Sequence, residues 1–178
     1  MANPSDATSF TLCLMRHAKS DWDDPNLADH DRPLNRRGQR DAARMARWLA
    51  AHGRLPEVIL GSTATRVRQT IDGLLSVWNH QPLVLLSGSL YLAAPETILE
   101  HIVCESITPT GRRPHMAMVI AHNPGIERLA GQLAGLPVRM PTAAVAIFHC
   151  HPICPEDLGG PRVRELLEVA RPKEIADA

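Results

Sequence analysis

Short apolar runs of strand length recur along this chain, and a helix-like segment separates each from the next. Phe10-Thr11-Leu12-Cys13-Leu14-Met15 and Val58-Ile59-Leu60 are such runs, and further ones lie at 83–86, 116–121 and 143–148. They alternate or are rich in strand formers, so we read strands over 8–15, 57–60, 83–86, 116–121 and 143–148. The first helix starts after Asn35, a good N-cap, and runs to His52 with Gly53 as its stop; Ala42, Met45, Ala46 and Leu49 share one face. A second helix covers 64–78, with Val67, Ile71, Leu74 and Leu75 inward. Pro95 opens a third, ending near Glu105, and a fourth begins at Pro124 and carries Ile126, Leu129, Ala130 and Leu133. Strands alternating with helices require a mostly parallel sheet covered on both faces, an α/β fold built as a three-layer α/β/α sandwich. Residues 162–170 are ambiguous: Leu166-Leu167 and the glutamates favour a helix on propensity.

The chain has 178 residues, enough for one domain with a real core over 9–178, after a polar tail at 1–8. Nineteen basic residues balance nineteen acidic ones, which gives no support for nucleic-acid binding or adhesion to an anionic membrane. No apolar run approaches the ~20 residues of a membrane span. The start lacks a basic segment and an apolar core, so no secretory signal is expected and the cytoplasm is the expected location. Arg32, Arg36, Arg37, Arg40, Arg44 and Arg47 crowd one segment, which we read as a solvated helix face. The four cysteines, Cys13, Cys104, Cys150 and Cys154, have neither zinc-knuckle spacing nor disulfide-scaffold density. His149, Cys150, His151 and Cys154 could supply soft metal ligands, but a strand would point His149 and Cys150 to opposite faces and no second ligand pair is visible. We expect no metal there.

The chemistry lies where the strands end. The first strand delivers Arg16-His17 to the C-terminal edge of a central strand, where open α/β sheets place their ligands. A guanidinium offers a fork of donors matched to phosphate oxygens, and a neutral imidazole can act as a nucleophile. After the second strand comes Ser62-Thr63-Ala64-Thr65-Arg66-Val67-Arg68-Gln69-Thr70, and after the fourth comes His122-Asn123-Pro124-Gly125. Arg16 and Arg66 can neutralise a phosphoryl group, His122 can add a donor, and His17 can attack phosphorus. Arg68 reads as a surface or supporting residue, and Gln69 and Thr70 as packing and capping residues.

Arg-His, then Ser-x-Ala-x-Arg-x-x-Gln-Thr, then Ala-His-Asn-Pro-Gly, each after a strand, resemble the histidine phosphatase superfamily, and within it the small SixA-like phosphohistidine phosphatases. The resemblance spans residues 10–172. It implies the phosphoglycerate mutase-like fold, a last strand over the ambiguous 162–170, and catalytic roles for Arg16, His17, Arg66 and His122. It also implies a covalent phosphohistidine at His17, no cofactor and a part in signal transduction. No metal is required, because the arginines supply the positive charge.

Three departures from the family pattern matter. Arg-His-Gly is Arg-His-Ala here, so Ala18 must avoid a positive φ. Asp23 stands where mutase-type members carry asparagine. The acid used by mutases has no clear counterpart; Glu96 and Asp23 are the candidates, and Glu96 reads better as a favourable charge in the first turn of a helix. A site without a sure acid fits the labile P–N bond of phosphohistidine better than an alkyl phosphate. The expected substrate is thus a phosphorylated protein, with a phosphatase of a small phosphorylated metabolite or a non-catalytic phospho-ligand binding module as the alternatives.

Overall fold

The structure, a computed structural model, describes residues 10–105, 114–150 and 164–175. The expected tail at 1–8, part of the turn-rich connection after the third helix, and His151 and Cys154 lie outside the described residues. Six strands form one sheet: β1 (Phe10–Arg16), β2 (Val58–Ser62), β3 (Leu83–Ser87), β4 (Met116–Ala121), β5 (Val145–Cys150) and β6 (Arg164–Ala170). Their order is β3-β2-β4-β1-β5-β6. The first three neighbour pairs are parallel, and β5 and β6 extend the sheet antiparallel. The sheet is therefore mostly parallel, as the alternating pattern requires.

The helices are α1 (Arg36–Ala51), α2 (Thr65–Leu75), α3 (Pro95–Glu105) and α4 (Gly125–Ala134). Two apolar cores lie on opposite faces of the sheet. Cys13 and Met15 of β1 face Ala42, Met45 and Leu49 of α1 and Val67, Ile71 and Leu74 of α2. Leu12 and Leu14 face Ile98 and Ile102 of α3 and Ile126 and Leu129 of α4. Period-two alternation along β1 thus feeds both cores and makes the three-layer sandwich. Burial pushes the Cys13 thiol up to about 12, so it is an inert part of the core.

The Asn35 side chain accepts from Gly38 N at 2.9 Å, the cap expected of it, and Gly53 after α1 has φ 64°. Three expectations need correction. The second helix ends at Leu75, not 78; the chain then turns, and Trp78 Nε1 donates to Ala46 O at 2.9 Å. The fifth strand starts at Val145, because Ala143 has a left-handed φ of 61° and spends its N–H on the carbonyls of Arg16 and His17. Arg32 is not on a solvated helix face; it precedes α1 and is buried, whereas Arg36, Arg37, Arg40 and Arg47 are exposed as expected. The ambiguous last segment is a strand, since pairing with β5 overrides helix propensity. His149 is half-buried while Cys150 sits in a core, the opposite-facing arrangement that alternation demands.

Register places the chemistry. Arg16 pairs with Ala121, so His17 and His122, the next residues, emerge side by side. Gly61 pairs with Ile120, which brings Ser62 alongside them. The start of α4 is pressed against the segment before α3: a Cβ at Gly125 would overlap the Ala93 carbonyl oxygen. Gly125→Ala should cost about 1–3 kcal/mol through overpacking, read as a lowered Tm; an unchanged Tm would show that this approach is not constrained.

Candidate active site

His17, Arg66 and His122, three of the four residues named from their motifs, are buried together at the strand ends, with 7%, 4% and 2% of their surface exposed, and Arg16 is half-buried beside them. They line a pocket of about 380 Å³ with Lys19, Ser20, Trp22, Asp29, Leu92, Asn123 and Thr142. Neither candidate acid is there. Asp23 is exposed on the loop after β1, and Glu96 is exposed in the first turn of α3, where it serves the helix terminus.

His17 Nδ1 lies 2.7 Å from the carbonyl of Ala18. A carbonyl only accepts, so Nδ1 carries the proton and Nε2 presents its lone pair. Arg66 Nε donates to that Nε2 at 3.3 Å. Burial pushes the His17 pKa down to about 4; the Ala18 bond opposes this, and the guanidinium groups of Arg66 and Arg16 add to it. The ring is therefore neutral at pH 7 and chemically able to act as a nucleophile. Ala18 avoids positive φ and is held in turn: its N–H donates to Thr70 Oγ1 at 3.0 Å, and that hydroxyl donates to Arg66 O at 2.6 Å.

Arg66 sits in the first turn of α2 and its guanidinium orders the pocket. It donates through Nη1 to the Asp29 carbonyl, through Nη2 to Asp29 Oδ2 at 2.9 Å and through Nη2 to His122 Nδ1 at 3.2 Å. His122 then donates from Nε2 to Ser62 Oγ at 2.6 Å. Burial, with His17 and Arg66 adding to it, pushes the His122 pKa down to about 3. Arg16 Nη1 donates to Met140 O at 3.1 Å, while its Nε is buried and has no hydrogen-bond partner among the described residues.

Three site residues escaped the reading of the sequence. Asp29 lies in a single 3-10 turn, Asp29–Asp31, within the acidic loop. Its carboxylate accepts from Tyr91 Oη at 2.6 Å as well as from Arg66, and these bonds hold it below the usual carboxylate range. Tyr91 packs edge-on against His122 with ring centroids 5.3 Å apart. Ser62 fixes the His122 ring. Gln69 Oε1 accepts from Leu34 N, and Arg68 Nε donates to Thr63 O from an exposed position, so both support neighbouring loops as expected. Leu92, at the pocket edge, has a left-handed φ of 52°, a strain of about 1–2 kcal/mol for a non-glycine residue. Among the described residues no cluster of three metal-ligating side chains occurs, and no helix is long and apolar enough to cross a membrane.

With Arg16, Lys19 and Arg66 set against one carboxylate, the pocket suits a phosphoryl group, and a neutral His17 lies within it. Comparisons with known proteins agree. The sequence model of the histidine phosphatase superfamily (branch 1) matches residues 12–88. An uncharacterised chloroplastic protein of Arabidopsis thaliana is 36% identical over 154 residues, which cover 83% of this chain and 69% of that protein. The crystal structure of a protein assigned as the phosphohistidine phosphatase SixA of Agrobacterium tumefaciens superposes with a TM-score of 0.73 at 26% identity, covering 91% of this chain and 97% of that one. A protein histidine phosphatase SixA complexed with tungstate shares the fold, with a TM-score of 0.75 at 20% identity over 92% and 98% of the two chains.

Two outcomes follow. The folded pKa values of His17 and His122 lie below the ~6.5 of a free histidine, so between pH 6.5 and about 4 the unfolded chain binds protons that the folded one refuses. Stability should therefore fall as pH drops through that window, seen as a Tm that declines from pH 6.5 to 4.5 and is flat from 7 to 8. Ser62→Ala should free the His122 ring and lower kcat by roughly tenfold with little change in KM; an unaltered kcat would remove Ser62 from the site.

Proposed function

We propose that this chain, which belongs to the histidine phosphatase superfamily, is a SixA-like hydrolase that removes phosphate from protein phosphohistidine through a phosphohistidine intermediate at His17. The observation that carries the substrate class is the state of the pocket's one carboxylate among the described residues: Asp29 is bonded to Arg66 and Tyr91 and held ionised. It accepts hydrogen bonds and has no proton to give. An alkyl phosphate needs such a proton for its alkoxide leaving group. A phosphohistidine already protonated at its other ring nitrogen departs as neutral imidazole without one.

The geometry supports a two-step transfer. The lone pair of His17 Nε2 attacks phosphorus, the substrate P–N bond breaks, and its electron pair stays on the departing imidazole. Arg66 Nε must release His17 Nε2, and a phosphoryl oxygen takes its place as acceptor. Arg16 and Arg66 neutralise the equatorial oxygens, the role that metal ions fill elsewhere. Water then attacks the phosphorylated His17, the Nε2–P bond breaks and inorganic phosphate leaves. Neutral His17 is restored once the water proton has passed to solvent or phosphate.

The test compares a phosphohistidine-bearing protein with p-nitrophenyl phosphate and sugar phosphates, with EDTA present. Fast release from phosphohistidine is expected, with loss in His17→Ala and a roughly 10²–10³-fold fall in kcat/KM for Arg66→Ala. Release from small phosphates alone would favour a metabolite phosphatase. Binding of phosphate with no turnover of anything would make the chain a phospho-ligand binding module.

A further inference from the structure

One element of the pocket plays no part in the chemistry above. Trp22 lines it and is 61% exposed, yet its ring is held at both ends. The indole Nε1 donates to the buried Ser20 Oγ at 3.1 Å. The Arg32 guanidinium lies beneath the ring, 4.2 Å from its centre. Arg32 is itself buried; its Nη1 reaches Asp24 O at 3.4 Å and its Nε is 4.0 Å from Asp29 Oδ1. A buried cation under an exposed indole stabilises the ring through its quadrupole. With one face on Arg32, the exposed area lies on the other face and the edges.

Leu92 lines the same pocket, is 52% exposed and has the left-handed backbone described above. Strained backbone of this kind gathers at ligand clamps. Trp22 and Leu92 are thus two exposed apolar side chains on the wall of an otherwise polar pocket. Asp29 links this wall to the reacting groups, since it faces Arg32 on one side and holds Arg66 on the other.

We infer that Trp22, with Leu92, forms a platform on which a flat aromatic leaving group stacks while its phosphate meets His17. This rests on the phosphatase reading and makes Trp22 a specificity determinant: the flat imidazole of phosphohistidine fits it, and an acyclic glycerol does not. Aryl phosphates share the chemistry and are expected to bind as well.

Phenylphosphonate and methylphosphonate test the platform, because a P–C bond is not hydrolysed and binding is read whatever the turnover. Calorimetry on the wild type should give phenylphosphonate a roughly tenfold lower Kd than methylphosphonate. Trp22→Phe should keep that preference, and Trp22→Leu, apolar but not aromatic, should lose it while binding methylphosphonate as before. Equal affinities in the wild type, or a preference undiminished in Trp22→Leu, would overturn the platform. A parallel loss of methylphosphonate affinity in Trp22→Leu would overturn it too, by showing that the indole only holds its loop. If the wild type shows the preference but hydrolyses no phosphoramidate or ester, the platform stands and the phosphatase reading falls.

Discussion

The hydrogen bond from His17 Nδ1 to the carbonyl of Ala18 decides what this site can do. It commits the ring to one tautomer and turns the Nε2 lone pair toward the pocket. That commitment is only as firm as the backbone that accepts the bond. Thr70 supplies the firmness: its hydroxyl takes the Ala18 N–H and gives its own proton to the carbonyl of Arg66. One threonine in α2 thus ties the His17–Ala18 backbone to the helix that carries Arg66. The pairing of β1 with β4 then sets the second histidine beside the first, with ring centroids 5.0 Å apart.

Charge is arranged so that neutrality of the imidazoles and affinity for phosphate have the same cause. Both rings are buried, and burial disfavours a protonated histidine. The Arg66 and Arg16 guanidiniums push in the same direction on both. A phosphoryl group in this pocket would meet those guanidiniums beside two neutral rings. Asp29 partly offsets this field, yet it orients Arg66 and is thereby made unfit as an acid. The poverty of the site in acids thus traces to one ion pair, Arg66 with Asp29.

Much of this was legible in the sequence where function is local to a strand end. Arg16 ends β1; His17, Arg66 and His122 each follow a strand by one or a few residues, and strands are visible through periodicity. The N-cap at Asn35 and the inward face of α1 are short-range features that the chain spells out. Asp29, Tyr91 and Ser62 were not legible, because each acts through a partner far along the chain and no local pattern marks the meeting. Arg32 was misread for the same reason: among five other arginines it resembles a solvated charge, and only the fold places it under Trp22. Asp23 and Glu96 failed in the opposite sense, as carboxylates of the right type that the loops turn to solvent. The last strand was invisible to propensity because its pairing with β5 is a tertiary fact.

His17 as a neutral ring, protonated at Nδ1 and unprotonated at Nε2, underlies everything else at the site. Nitrogen NMR of the histidine-labelled protein, with His17 assigned by comparison with His17→Ala, reads both tautomer and protonation across a pH titration. One His17 signal pair is expected, in which Nδ1 carries the proton and no imidazolium forms until pH approaches about 4. A ring protonated at Nε2 near neutral pH, or one that titrates near the ~6.5 of a free histidine, would contradict it.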